Sequence, residues 1–261
     1  MINRDDIWAA IEPLVLSAIT PRASSLAAAL LDIPNLQAAW IPQRAFSGAG
    51  ATALQPDLLA GHDLTLTNTP TIVLQQAGRM SEIAYWNLVA ASAMYLTRAT
   101  ETALALTNNF TLGVWVKPTT LPTGGNVAGL MGKGMSAAGN RCYMIYTAAA
   151  GNALFRVYDA GAAATTVTST GVMTTGVWSF IQARFVGSSR MTVNLDGAFD
   201  YNVTSIPAAV RSIADEFSIG RLDGAAFYFN GAIGAAYVSA SALADQSMMA
   251  IYQRTKGFYG Q

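Results

Sequence analysis

The sequence is poor in the residues that most often build metal sites, disulfides and charged surfaces. Its 261 residues include one cysteine, Cys142, and one histidine, His62. These counts exclude a disulfide framework within the chain and a metal cluster rich in cysteine or histidine. Lysine plus arginine equals aspartate plus glutamate at 15 each, so no net charge attracts nucleic acid or an anionic membrane.

Charge of either sign is also scarce, at 11% of residues against about 25% in an average soluble domain. A surface this poor in charge favours cover by partner subunits, although an uncharged polar surface typical of β-sandwiches explains it equally well. No run of about 18 apolar residues predicts a membrane span. Asp5, Asp6, Glu12 and Pro13 interrupt the N-terminal segment, which argues against a signal peptide.

Residues 1–36 differ from the rest of the chain and predict a helical N-terminal assembly arm. Ile7, Ile11, Leu14, Val15 and Ala18 form one apolar helical stripe, and a second short helix is predicted over 24–31. The stripe could dock on a neighbouring subunit or pack on its own domain. We expect assembly, so the chain would form a homo-oligomer or bind other subunits. The residues assigned to the assembly surface are Ile7, Trp8, Ile11, Leu14 and Val15.

From about residue 38, short apolar runs alternate with turn residues in the manner of an all-β sandwich. The sequence predicts strands at 93–98, 110–117, 142–147, 153–158, 165–169, 178–186, 190–195, 198–203, 216–220, 226–229 and 231–238. Asp196-Gly197 indicates a type I′ hairpin turn. Residues 131–141 predict a hairpin loop. A short helix is predicted over 243–254, with Gly257 as its C′ residue.

Several segments, in order, resemble one family, the laminin-G-like domains of the concanavalin A-like lectin/glucanase jelly rolls. They are LQAAWIP (36–42), PDLLAGHDLTLTNTPTI (56–72), YWNLVAASAMYLTRA (85–99), FTLGVWVKPTTLPTGG (110–125), GVWSFIQARFVGSSRMTVNLDGAF (176–199), FSIGRLDGAAFYFNGAIGAAYV (217–238) and LADQSMMAIYQRTKGFY (243–259). The resemblance covers about residues 38–259. It implies an all-β, concanavalin A-like (laminin-G-like) jelly-roll domain over 37–261, preceded by the short helical arm.

Strand 110–117 fits this fold because Leu112, Val114 and Val116 alternate with Trp115. The three aliphatic side chains are expected between the two sheets. Trp115 faces the other way, where it could stack on a sugar. In the family the corresponding tryptophan is generally buried, and we expect the same here.

The fold hosts lectins, glycosidases, lyases, adhesins and spacers, so function depends on the site residues. Glycosidases need two carboxylates across the scissile bond, but none of the glutamates Glu12, Glu82, Glu101 and Glu216 has the family's catalytic spacing. A nucleophilic triad would need His62, the one histidine of the sequence. Because His62 lies in a predicted loop, the sequence does not support such a triad. We therefore expect no enzymatic activity.

Members of the family also commonly bind calcium, which needs several oxygen ligands. Asp57 and Asp63 flank one loop, and Asp223 lies in another. Gly234 stands where the family has an acidic residue, which weakens the implied metal site. The expectation is no cofactor, with calcium as an open alternative.

A carbohydrate site would combine an aromatic ring with planar hydrogen-bonding groups. The segment 220–231 offers a donor fork in Arg221, an acceptor in Asp223 and a ring in Tyr228, and Tyr158 is a further candidate. The alternative is that Asp223 only forms a turn and Tyr228 faces the interior.

Together, the arm, the jelly roll, the lack of disulfides and the low charge resemble phage virion proteins. The expected function is a virion structural protein, as a capsid decoration or a tail or baseplate appendage, with possible binding of host glycans. The expected location is therefore the virion, with no membrane and no nucleic-acid partner. A carbohydrate-binding module or adhesin outside a virion is the main alternative, and a glycosidase or lyase is a weaker one.

Overall fold

The chain forms two antiparallel β-sheets that pack face to face, as a computed structural model shows for residues 22–42, 54–76, 82–222 and 227–261. This confirms the predicted all-β sandwich. The predicted assembly residues Ile7, Trp8, Ile11, Leu14 and Val15 lie outside the described residues, as does Asp223.

Sixteen strands are present in the described part of the chain. In chain order they are β1 (Leu36–Trp40), β2 (Leu54–Gln55), β3 (Leu64–Thr67), β4 (Thr71–Gln76), β5 (Glu82–Leu88), β6 (Tyr95–Glu101), β7 (Phe110–Pro118), β8 (Val127–Lys133), β9 (Tyr143–Ala148), β10 (Asn152–Tyr158), β11 (Ala164–Val172), β12 (Ser179–Val186), β13 (Arg190–Leu195), β14 (Ala198–Asn202), β15 (Asp215–Ile219) and β16 (Gly231–Ser239). An N-terminal helix spans Arg22–Leu31 and a C-terminal helix spans Asp245–Lys256. Neither helix of the described chain is long and apolar enough to cross a bilayer.

Both sheets pair strands that are far apart in sequence. The first sheet has the order β14-β13-β12-β7-β16-β5-β4, and β1 also pairs with β16. The second sheet has the order β11-β10-β9-β8-β15-β6-β3-β2. The hairpin between β13 and β14 has the predicted type I′ turn, because Asp196 and Gly197 both have positive φ, at 52° and 93°.

The main core lies between the two sheets and is built by alternation along each strand. On β7, Leu112, Val114 and Val116 point into this core, as predicted. Aromatic side chains fill its centre, where the ring of Phe110 lies 4.8 Å from that of Tyr143 and 5.5 Å from that of Phe185.

A second apolar layer covers the outer face of the first sheet, beneath the two helices. Trp115 is 1% exposed, as predicted, and stacks at 4.3 Å on Tyr259 and at 4.8 Å on Phe180. Its indole N–H donates to the hydroxyl of Thr255 on the C-terminal helix, at 3.2 Å. Trp115 therefore fastens the helix to the sheet and is not accessible for stacking on a ligand.

The N-terminal helix, which falls in the predicted arm, packs on this same layer. Leu26, Leu30 and Ile33 are buried with residues of the C-terminal helix. Outside the layer, Arg254 donates to the carboxylate of Asp32 at 2.5 Å. Residues 22–36 thus contact their own domain, and docking on a neighbouring subunit stays a prediction for the residues that precede them.

Some predicted elements are wrong in detail. The predicted strand at 226–229 is absent over residues 227–229, where the backbone is irregular. The predicted loop at 131–141 begins too early, because Met131 to Lys133 complete β8 by pairing with β9. The C-terminal helix runs to Lys256, and Gly257 has φ of −63°, so it is not a left-handed C′ residue.

Gly234 now has a steric explanation. A Cβ atom at this position would lie 2.6 Å from the Tyr259 hydroxyl oxygen, which accepts a hydrogen bond from the Ala235 N–H at 2.7 Å. Tyr259 thus occupies the space that an acidic side chain would need.

Candidate functional site

A cleft of about 320 Å³ opens at one end of the sandwich, and we call it the rim cleft. Three connections form it: residues 119–126 between β7 and β8, the short helix Ala90–Ser92 between β5 and β6, and residues 227–230 before β16. The side chains that line it are Thr120, Thr123, Asn126, Tyr228 and Asn230 on the polar side, and Leu121, Pro122, Val127 and Phe227 on the apolar side.

Asn230 holds the three connections together. Its carbonyl side-chain oxygen accepts from the Ala90 N–H at 3.3 Å, and its amide nitrogen donates to the Thr120 hydroxyl at 2.9 Å. Its backbone carbonyl accepts from the Thr119 N–H at 2.9 Å. Because this one residue bridges all three segments, the shape of the rim cleft is built into the fold.

Phe227 is held in an unusual backbone conformation at the mouth of the cleft. Its φ is 62°, and its side chain is 37% exposed. A bulky residue in the left-handed region costs about 1–3 kcal/mol, and such strain concentrates at functional sites. The conformation is fixed in part because the Phe227 carbonyl accepts from the Gly129 N–H at 2.9 Å. An exposed ring is thus maintained next to Tyr228.

Arg221 and Tyr228, both predicted ligand residues, are linked through Tyr95. The Arg221 guanidinium lies 3.9 Å from the centre of the Tyr95 ring, which lies 6.0 Å from the ring of Tyr228. Arg221 is only 6% exposed and forms an ion pair with Glu216. Its guanidinium therefore positions the aromatic pair, whereas Tyr228 itself lines the cleft.

Tyr158 lies elsewhere, on β10, with β9 and β8 between it and β15. Its hydroxyl accepts from Arg141 at 3.0 Å, and its side chain is buried. The structure therefore does not bring Tyr158 into the rim cleft. The role of each of these residues in ligand binding stays a prediction.

Of the glutamates that sequence reasoning considered for catalysis, Glu101 and Glu216 are engaged in structural contacts. Glu101 is buried and accepts from the Ala103 N–H at 2.7 Å, and it pairs with His62 at 2.9 Å and Arg98 at 2.6 Å. Burial alone would raise the pKa of Glu101, but these hydrogen bonds and charges outweigh it and lower the pKa. Such a carboxylate is held ionised and is poorly suited to protonating a leaving group.

Asp57 and Asp63, considered for calcium, bind backbone amides. Asp57 accepts from the N–H groups of Ala39, Gly61 and His62, at 2.8, 3.2 and 3.2 Å. Asp63 accepts from the Asp57 N–H at 2.9 Å. Within the described ranges no group of three or more potential metal-ligating side chains occurs.

Sequence reasoning missed two residues that shape the cleft, Phe227 and Asn230. Both lie in the segment 220–231 that was singled out, but Phe227 was placed in a strand there. A phenylalanine carries no sequence signal for positive φ, because that conformation depends on tertiary hydrogen bonds. Asn230 was missed because its partners Ala90 and Thr120 are distant in sequence.

The fold and the rim cleft define a sandwich of the lectin type, and family comparison agrees. Residues 91–247, more than half of the chain, match the profile of the Laminin_G_3 family, described as the Concanavalin A-like lectin/glucanases superfamily. The chain therefore belongs to this family. No curated protein sequence matches the chain significantly.

Three solved structures are similar in fold. The botulinum neurotoxin serotype G binding domain has a TM-score of 0.62 and 10% identity, covering 87% of this chain and 54% of that one. The binding domain of Paraclostridial Mosquitocidal Protein 1 has a TM-score of 0.60 and 13% identity, covering 87% and 55%. Domain 4 of AbnA, a GH43 extracellular arabinanase from Geobacillus stearothermophilus, solved with arabinotriose, has a TM-score of 0.61 and 17% identity, covering 84% and 98%. The chain spans about half the length of the first two domains.

Proposed function

We propose that this chain is a non-catalytic structural protein of a virion, a capsid decoration or a tail or baseplate appendage, that displays a carbohydrate-binding domain. The observation that carries the carbohydrate part is the rim cleft. It combines two aromatic side chains with the hydroxyl and amide groups of Thr120, Thr123 and Asn126. Aromatic faces stack on sugar rings, and planar amides and hydroxyls pair with sugar hydroxyl groups.

Two features favour binding over catalysis. Glu101 and Glu216 are engaged with basic partners, and neither lines the rim cleft. Domain 4 of AbnA, solved with arabinotriose, and the two binding domains support the same choice by analogy of fold.

Two features support the proposed role in a virion, an apolar groove on the surface of the domain and the apolar stripe in the N-terminal sequence. An apolar groove of about 450 Å³ runs beside the C-terminal helix, lined by Phe199, Met249 and Ala250 with Gln246 and Asp245. Its proposed occupant is the apolar stripe of residues 7–18 from a neighbouring copy. Only residues 19–21 lie between this stripe and the N-terminal helix, and a fully extended link of that length spans about 10 Å, so the neighbouring copy would lie close to that helix.

The carbohydrate part is tested on a glycan array, followed by calorimetry with the best ligand. Tyr228→Ala should weaken binding at least tenfold, whereas Tyr201→Ala, an exposed tyrosine on β14, should not change it. Equal binding by both variants would exclude the rim cleft as the site. Repeating the assay with a chelator tests whether calcium contributes.

Phe227→Gly gives a second and sharper test. Glycine relieves the positive φ, so the variant should be as stable as the wild type or up to about 1 kcal/mol more stable. It should nevertheless bind glycans more weakly, because the ring is lost. A variant that gains stability and keeps full affinity would show that the strained ring has no part in binding.

The assembly part is tested by light scattering. Full-length protein should form a defined oligomer, and both Met249→Asp and removal of residues 1–21 should reduce it to a monomer. Monomeric wild-type protein would contradict this part and favour the alternative of a carbohydrate-binding module or adhesin outside a virion. Detection of the chain in purified virus particles by mass spectrometry tests the location directly.

A further inference from the structure

The three connections that form the rim cleft contain no charged residue. Their sequences are TTLPTGGN (119–126), AAS (90–92) and FYFN (227–230). The polar groups that they bring to the cleft are therefore hydroxyls, side-chain amides and peptide groups, which are all neutral. A charged group that left water for such surroundings would gain no opposite charge from these connections, so its burial would be opposed.

Two basic side chains that precede these connections in the sequence contact aromatic rings outside the cleft. The Lys117 ammonium lies 5.2 Å from the ring centre of Tyr85 and 5.3 Å from that of Trp178. The Arg221 guanidinium lies over the ring of Tyr95. Neither basic residue lines the rim cleft. Their positive charges are thus held away from the position that a ligand would take.

The neutral groups of the cleft suit a ligand that carries many hydroxyl groups. The Thr120 hydroxyl accepts from the Asn230 amide at 2.9 Å, so its own proton is left to be donated to a ligand. The side chains of Thr123 and Asn126 are exposed and add a second hydroxyl and an amide. Together they offer donors and acceptors, and a sugar hydroxyl uses both.

The volume and the apolar side of the cleft limit the size of the ligand. Its volume of about 320 Å³ is near the lower end of the range of about 300–1,000 Å³ that is typical of small-molecule sites. The rings of Phe227 and Tyr228 and the side chains of Leu121 and Pro122 form the apolar surface. A site of this size fits one or two sugar rings rather than a longer segment of a polysaccharide.

We propose that the rim cleft binds a short, uncharged saccharide unit of one or two sugar rings and discriminates against acidic sugars. The inference rests on the proposed function and deepens it, because it names the class of saccharide that the same cleft takes. The aromatic rings stack on the C–H face of the sugar, and the neutral donors and acceptors pair with its hydroxyl groups. A carboxylate or sulfate on that sugar loses water and finds no cation in the three connections.

The test is calorimetry of the full-length protein with oligosaccharides that differ in charge. The probes are oligomers of one to four residues of glucose, galactose or mannose, each paired with the matching glucuronic, galacturonic or mannuronic acid. At least one neutral oligomer should bind, and its acidic counterpart should bind at least tenfold more weakly. The affinity should rise from one residue to two and stay level from two to four. Raising the salt concentration should leave the affinity of the neutral oligomer unchanged, because its binding involves no charge pair.

The outcomes separate this inference from the proposed function. An acidic oligomer that binds as tightly as its neutral counterpart, or an affinity that still rises between two and four residues, overturns the inference. Either result leaves the proposed function standing if Tyr228→Ala weakens the binding. If no oligomer binds, or if Tyr228→Ala has no effect, the carbohydrate function proposed for this cleft fails and the inference fails with it.

A lysine introduced into the cleft tests the cause of the selectivity. Thr123→Lys places a cation among the neutral lining groups, so it should strengthen binding of the acidic oligomer severalfold and make that binding sensitive to salt. Thr204→Lys is the matched control, because Thr204 is also an exposed threonine but lies after β14 and does not line the cleft. A thermal melt of each variant confirms that it is folded. Equal affinity of the two variants for the acidic oligomer overturns the inference that the lack of charge in the cleft sets its selectivity.

Discussion

The substitution Leu30→Ala tests whether the N-terminal helix is part of the folded domain. Leu30 is 2% exposed and packs under the helices with residues such as Met248 and Ile251. Truncation removes three buried carbon atoms, which costs about 2 kcal/mol in transfer free energy, and the cavity left behind brings the usual range to about 2–5 kcal/mol. Because the helix is peripheral and can relax, we expect about 3 kcal/mol.

The assay is thermal and urea unfolding of the full-length protein. A loss of about 3 kcal/mol corresponds to a fall in Tm of roughly 6–12 °C for a domain of this size. Leu31→Ala is the control, because Leu31 is the next residue in the same helix but is 50% exposed; it should change the free energy of unfolding by less than about 0.5 kcal/mol. An unchanged Tm for Leu30→Ala would refute the packing argument and favour a helix that unfolds apart from the sandwich.

Two further substitutions test individual contacts. Gly234→Ala should destabilise the domain by about 1–3 kcal/mol, because the new methyl group meets the buried Tyr259 ring, and a neutral urea midpoint would refute this. Glu101→Gln tests a charge interaction. Its lowered pKa means that the ionised form stabilises the fold above about pH 4.5 and that this contribution is lost as pH falls through the folded-state pKa. The variant should therefore be less stable than wild type at neutral pH, and the difference should shrink in acid; a constant difference would show that ionisation is not involved.

The sandwich and most strands of its C-terminal half were predictable from sequence. The strands β12, β13 and β14 alternate apolar and polar residues between recognisable turns, and alternation is a local property. The strands before residue 93 were identified only in part, through the family resemblance, since β2 to β4 are short or carry polar residues on both faces. Strand β8 was missed because four of its seven residues, two glycines, an alanine and a lysine, have low β-propensity.

The candidate site was predictable only as a segment. Three residues of the segment 220–231 that was singled out, Phe227, Tyr228 and Asn230, line the rim cleft, but the contacts of each residue were not accessible from the sequence. Arg221 was predicted to be a ligand donor, which stays a prediction, and the structure shows its guanidinium in contact with Glu216 and Tyr95. These contacts were not predictable, because the sequence around an arginine does not indicate which residues of the chain it will meet.

By itself, the sequence determined the class of fold and which side chains of each strand point inward, because the alternation of apolar and polar residues is a local property. Two sheets must pack face to face to bury the apolar faces that this alternation creates. It also excluded a disulfide framework within the chain and a metal cluster rich in histidine or cysteine, because it holds one residue of each kind. Only the tertiary structure decided which side chains meet. Asn230 reaches Ala90 across 140 residues, and Trp115 reaches Thr255 across the same separation. The rim cleft and the packing of the helices on the first sheet both depend on such long-range contacts, which no local pattern records.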